Sequence, residues 1–175
     1  LKSIIAAKPS NGTADFYLGN VYLLQNYTDS AKIYYQKGLS GSEGARLNHI
    51  GLGLIDLDNG NTAAAEEKFA LAIKDIKKKD IEEYVFIGRA YTLSTKPDFK
   101  KALEYLNRAK LVNPQDAQLN LALGNAYFGD KNQNEAYSAY RNAYAADNTL
   151  IRAKMQLGVL LKGAKAYGEA IKAYD

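Results

Sequence analysis

The chain contains no cysteine, no tryptophan and a single histidine, His49, in 175 residues. The first absence excludes disulfides, thiolate nucleophiles and cysteine-based zinc sites. With one histidine and no thiolate, a transition-metal site of two or three nitrogen or sulfur ligands lacks its donors. A serine nucleophile would have only His49 as its base, and no GxSxG elbow occurs. Metal, cofactor and catalytic sites are therefore all expected to be absent, and the chain is expected not to be an enzyme. Apolar runs fall far short of the roughly 20 residues that cross a bilayer, and Leu1 does not lead into the charged-then-apolar pattern of a secretory signal. The expectation is a soluble protein, of the cytoplasm or of a bacterial periplasm or cell envelope. The lysine-, asparagine- and tyrosine-rich composition suggests a bacterial source. Charge of one sign is also lacking, since 23 basic and 19 acidic residues interleave to a net +4. Such a surface is not a nucleic-acid footprint.

What is abundant is glycine and tyrosine, 14 of each. Gly19, Gly53, Gly88, Gly124 and Gly158 recur at intervals of 34, 35, 36 and 34 residues, each after an aliphatic residue. Tyrosine lies three residues on in three copies (Tyr22, Tyr91, Tyr127), with Asp56 and Leu161 in the others. Twelve residues on comes alanine (Ala31, Ala65, Ala136, Ala170), and sixteen on an aromatic (Tyr35, Phe69, Tyr140, Tyr174). A small residue follows at nineteen (Gly38, Ala72, Ala143). The third copy is displaced by two residues, with Ala102, Leu106 and Ala109, and the loop at Ser94–Pro97 is expected to absorb the insertion.

A glycine inside a helix costs about 1 kcal/mol against alanine, so glycines at one phase imply close approach of a second helix. The alanine twelve residues later is the expected other half of that contact. Apolar spacing predicts two amphipathic helices of about 12 to 15 residues per copy, joined by turns such as Asp58–Asn61 and Gly129–Asn132. Thr95-Lys96-Pro97-Asp98 and Asn132-Gln133-Asn134-Glu135 read as helix starts. Pro9 and Pro114, ten residues before Gly19 and Gly124, read as helix ends.

These landmarks together resemble the tetratricopeptide repeat over the whole chain. The resemblance implies an all-α protein, a right-handed α-α superhelix of antiparallel helix hairpins forming a single array over 1–175. Its parts are expected to be the tail of a preceding repeat (1–11), repeat one (12–45), repeat two (46–80), repeat three (81–116), repeat four (117–150) and a truncated repeat five (151–175). Both ends then fall inside a repeat, and the expectation is a slice of a longer protein.

Other constellations have plainer readings. Gly51-Leu52-Gly53 lacks the third glycine of a dinucleotide fingerprint and falls within a helix. Asp56, Asp58, Gly60 and Glu67 approach a calcium loop, but the turn glycine comes one residue early, so a turn between helices is expected. Lys77-Lys78-Lys79 ends a helix, where cations complement its dipole. His49 is expected to pack. The sequons Asn11-Gly12-Thr13 and Asn26-Tyr27-Thr28 matter only in a glycosylating pathway.

By the same resemblance the first helices line a concave groove, facing it with the residues six and three before the glycine and one and four after. The expected partner-binding residues are Phe16, Asn20, Ile50, Leu54, Arg89, Leu121, Asn125 and Met155, an apolar floor crossed by amide and guanidinium groups. Phe16, Glu82 and Phe86 stand where a chaperone-tail carboxylate clamp would place cations, so that ligand is not expected. The function implied is a non-catalytic scaffold holding a peptide or protein of unknown identity. The alternative is a structural spacer or oligomerisation segment of a larger assembly.

Overall fold

The computed structural model describes residues 11–41 and 43–163. Nine α-helices and no strand occur among them: α1 (Gly12–Leu24), α2 (Thr28–Gly38), α3 (Ala45–Asp58), α4 (Thr62–Ile73), α5 (Glu82–Leu93), α6 (Phe99–Val112), α7 (Ala117–Gly129), α8 (Gln133–Ala146) and α9 (Ile151–Gly163). The helix tail expected over Leu1–Lys8, the stop at Pro9, the landmarks Ala170 and Tyr174 and the end of repeat five lie outside the described residues. Two compact units form, Leu1–Lys78 with Leu93–Pro97, and Lys79–Thr92 with Asp98–Asp175.

In the first unit, α1 pairs with α2 and α3 with α4. A Cβ built on Gly19 would lie 2.3 Å from the Tyr35 ring, and one on Gly53 2.4 Å from Phe69. The residue that needs the glycine is thus the aromatic sixteen positions on. The alanine expected in that role is fully buried but is not among the nearest neighbours. A ring seated against helix backbone demands more room than a methyl group, which is why the period is carried by glycine and not by alanine. Tyr35 also packs on the next hairpin, where it occupies the space a side chain on Gly51 would take.

At the start of this unit Asn48 is wedged beside Gly38, and its Nδ2 donates to the carbonyls of Gly12 and Gly44 at 2.7 and 2.8 Å. Asp15, buried to 1% exposure, receives Lys37 at 3.3 Å. Its carboxylate is thereby paired within the hairpin instead of standing alone in a dry interior.

The second unit repeats the device. Gly124 makes room for the Tyr140 ring, Gly88 for the Leu106 side chain, and Gly129 for Phe99. Leu121, Tyr140, Ala143, Ala153 and Leu160 form one buried cluster from α7, α8 and α9.

Three of the hairpin turns share one geometry. The N–H groups of Tyr27, Asn61 and Asn132 each reach back five residues, to the carbonyls of Tyr22, Asp56 and Tyr127, at 2.8–2.9 Å. The residue before each lies at positive φ: Asn26 (63°), Gly60 (79°) and Lys131 (63°). That is the Schellman stop, which satisfies the last helical carbonyls. Between α5 and α6 the connection runs over Ser94–Asp98, two residues longer, as the displaced landmarks require.

The helix starts differ from expectation. The cap of α6 is Asp98, whose carboxylate accepts from the Lys101 N–H at 2.9 Å, so the cap lies three residues after Thr95. Thr95 instead donates its N–H to Asp58 at 2.7 Å. Proline at 97 disfavours helical backbone in the residue before it, and the start moves past it. Asn132 precedes α8 without a capping side-chain bond. Asp116, not read as a cap, caps α7 through the Leu119 N–H at 2.8 Å.

Candidate functional site

The face shared by α1 and α3 in the first unit carries Asn20 and Leu54, both half-buried, with Leu23 beside them. Phe16 and Ile50 belong to the same rows but are only 2% exposed. The Phe16 ring lies 6.0 Å from that of Tyr35 and supports the face from behind. Leu57, four residues after its glycine, is buried as well.

In the second unit α5, α7 and α9 carry the corresponding rows. Arg89 is half-buried, with its guanidinium 5.5 Å from the centre of the Phe86 ring. This cation–π contact holds a long side chain near the surface while leaving its edge polar. Asn125 is half-buried and Phe128 is 42% exposed. Leu121, at 7% exposure, is packed against Tyr140 and Ala153. Met155 occupies the same register as Leu121 yet is 54% exposed, and Val159, one helical turn on, is open too. The row three residues before the glycine is therefore interior wherever its hairpin is described in full. The rows six before it and one and four after it supply the accessible surface, with Leu47 and Leu57 as the buried exceptions.

The amides have defined partners. The Tyr35 hydroxyl donates to Asn20 Oδ1 at 2.6 Å, and the Tyr140 hydroxyl to Asn125 Oδ1 at 3.0 Å. Burial raises the pKa of both phenols above the ordinary range, so they stay protonated donors. These hydroxyls were not singled out from the sequence. The signal was present: asparagine after the glycine is followed fifteen residues later by tyrosine, whereas Leu54 is followed by Phe69.

Glu82 stands at the start of α5, with its pKa raised by partial desolvation of the carboxyl and then by repulsion from Glu83 and Asp80. His49 is half-buried, and desolvation together with the nearby Lys68 charge lowers its pKa. Asp56 pairs with Lys68, and Asp58 accepts from Thr95, so two of the three carboxylates of the calcium-like run have protein partners. Among the described residues no group of three histidine, cysteine or acidic side chains is arranged to hold a metal ion. No helix among them is long and apolar enough to cross a membrane.

No protein-family model and no curated protein matches the sequence. Solved structures do match. A thermophilic TPR protein of Thermus thermophilus superposes with a TM-score of 0.68 at 19% identity, covering 93% of this chain and 88% of that one. The fold is the tetratricopeptide repeat. MamA gives a TM-score of 0.60 at 23% identity, over 89% of this chain and 90% of its own. YrrB, described as a TPR protein with an unusual peptide-binding site, gives 0.55 at 18% identity, over 98% and 87%. At these identities the likeness speaks for the tetratricopeptide-repeat architecture, an all-α arrangement of helix hairpins, and not for any one partner.

Proposed function

We propose that this chain is a non-catalytic scaffold that binds a peptide or protein segment along the face of its first helices. The observation that carries this reading is the mixed character of the accessible rows. In the first unit Asn20 accompanies Leu54, and in the second Arg89 and Asn125 accompany Phe128, Met155 and Val159; none of these residues is fully buried. Apolar side chains of a partner gain from burial there, while its backbone groups meet donors. Phe16, Ile50 and Leu121 act as the packed layer beneath the contact surface. The fold adds support, since one protein sharing it is described as peptide-binding.

Arg89 is the charged anchor of the second unit. With a linear peptide selected from a displayed library against the whole chain, Arg89→Ala is expected to weaken binding by about 1–3 kcal/mol. Unchanged affinity in that variant, with loss on substituting Ile33 or Leu71 of the second helices, would exclude the first-helix face.

A second reading, an oligomerisation segment, is favoured by Tyr17, Val21 and Leu24, which line one side of α1 at exposures of 40%, 40% and 85%. Light scattering over a hundredfold range of concentration distinguishes the two. A mass that rises with concentration in the native chain and stays monomeric in Leu24→Glu supports self-association, and a constant mass excludes it.

A further inference from the structure

The residue after each repeat glycine and the residue fifteen positions later face each other across a hairpin. In repeats one and four they are Asn20 with Tyr35 and Asn125 with Tyr140, joined by hydroxyl-to-amide bonds of 2.6 and 3.0 Å. In repeat two the same two positions hold Leu54 and Phe69, and in repeat three, with its insertion, Arg89 stands opposite the helix that carries Leu106. In the hairpins described in full the amide is present where the hydroxyl is present and missing where the hydroxyl is missing; in repeat five Val159 is followed by Tyr174, which lies outside the described residues.

The chemistry of the pair fixes which way the amide points. Tyr35 and Tyr140 are buried to 0% and 1% exposure, and a buried hydroxyl proton without an acceptor carries an uncompensated desolvation cost. Of the two ends of an asparagine amide only the oxygen accepts. Oδ1 must therefore turn inward to the phenol, and Nδ2 with its two protons turns to the other side of a half-buried residue. Among the described residues neither Nδ2 has a hydrogen-bond acceptor, and Asn20 and Asn125 make no further polar contact there.

We propose that Tyr35 and Tyr140 are positioning residues that lock Asn20 and Asn125 with their amide donors outward, so that each unit offers a fixed amide donor to backbone carbonyls of an extended peptide. This deepens the partner-binding reading and rests on it. An extended segment has open carbonyls along its edges, whereas a helical partner consumes its own except in the last turn. Locking the amide before the partner arrives also removes rotamer freedom that binding would otherwise have to restrict.

Side-chain amide 15N relaxation on the whole chain tests the lock without any ligand. Signals are assigned by their disappearance in Asn20→Leu and Asn125→Leu. In Tyr35→Phe the order parameter of the Asn20 amide is expected to fall while that of Asn125 and of the backbone stays fixed, and Tyr140→Phe should do the converse. Unchanged amide order, or loosening that spreads through the backbone of the hairpin, overturns the positioning role. The double variant Asn20→Leu/Tyr35→Phe copies the Leu54–Phe69 pair of repeat two, so it gives a folded hairpin without the lock. For the partner, a linear peptide selected from a displayed library on the native chain is the probe. Tyr35→Phe or Tyr140→Phe is expected to lower its affinity roughly 2- to 10-fold, the size of one hydrogen bond. Replacing single backbone amides of that peptide by esters, which weakens the carbonyl as acceptor, should cost affinity in the native chain and not in the double variant. Equal losses in both overturn the donor-outward arrangement. A library that yields no binder at all overturns the partner-binding reading, while the relaxation result still decides the lock.

Discussion

A Cβ on Gly19, Gly53 or Gly124 would come within 2.3–2.4 Å of an aromatic carbon, so these glycines are places reserved for a ring. Their phase was legible in the sequence because only glycine leaves such a gap. The partner was misassigned because alanine and the aromatic both follow at fixed intervals, and spacing alone does not say which one touches. Gly124→Ala sets about 1–3 kcal/mol of overpacking against the roughly 1 kcal/mol gained by removing a helical glycine. The expected net result in urea unfolding is a loss of about 1 kcal/mol, and a stabilised variant would mean that the Tyr140 ring is not seated there. His49 carries a pH dependence. Burial, and then the Lys68 charge, depress its pKa in the folded protein, so protonation favours the unfolded chain. Its contribution is present above the unfolded pKa of about 6.5 and is lost as pH falls through the lower folded value. Stability of the native protein should therefore decline from pH 7 towards pH 5 more than that of His49→Gln. Parallel curves would show that His49 titrates alike in both states.

Helices and turns were read well where sterics act locally and poorly where a distant side chain intervenes. The two-residue insertion of repeat three was visible from Ala102, Leu106 and Ala109 and appears as the longer connection Ser94–Asp98. The start of α6 was not visible, because Thr95 is drawn away by Asp58 of another hairpin and Asp98 caps instead. The three short turns make a sharper comparison. All place their middle residue at positive φ, but only one of them uses glycine. A side chain in left-handed backbone costs about 1–2 kcal/mol, partly offset by the extra freedom glycine has when unfolded. Lys131→Gly is thus expected to stabilise the chain by roughly 0.5 kcal/mol and Gly60→Ala to destabilise it by about 1 kcal/mol, both read from thermal unfolding. If Lys131→Gly instead destabilises, the turn after α7 does not take the Schellman form in solution.

At the scale of the whole molecule, the repeat fold was the most legible feature and the contact surface the least. A period of 34 to 36 residues with several landmarks in register leaves little freedom for any other architecture. The rows that face a partner are another matter, because an apolar residue in a helical repeat looks the same whether it lines a surface or packs beneath one. Phe16, Ile50 and Leu121 share a register with Met155, yet the first three are interior and the last is open. In the hairpins described in full, coupling between positions carried more information than either position alone, as the pairing of asparagine with tyrosine and of leucine with phenylalanine shows. The measurement that bears most directly on the scaffold account is a backbone and side-chain NMR shift map of the whole chain titrated with a library-selected linear peptide. The account predicts that the largest perturbations fall on Asn20, Leu54, Arg89, Asn125, Phe128 and Met155. Perturbations concentrated on the outer sides of the second helices, at Ile33, Leu71 and Leu111, would contradict it.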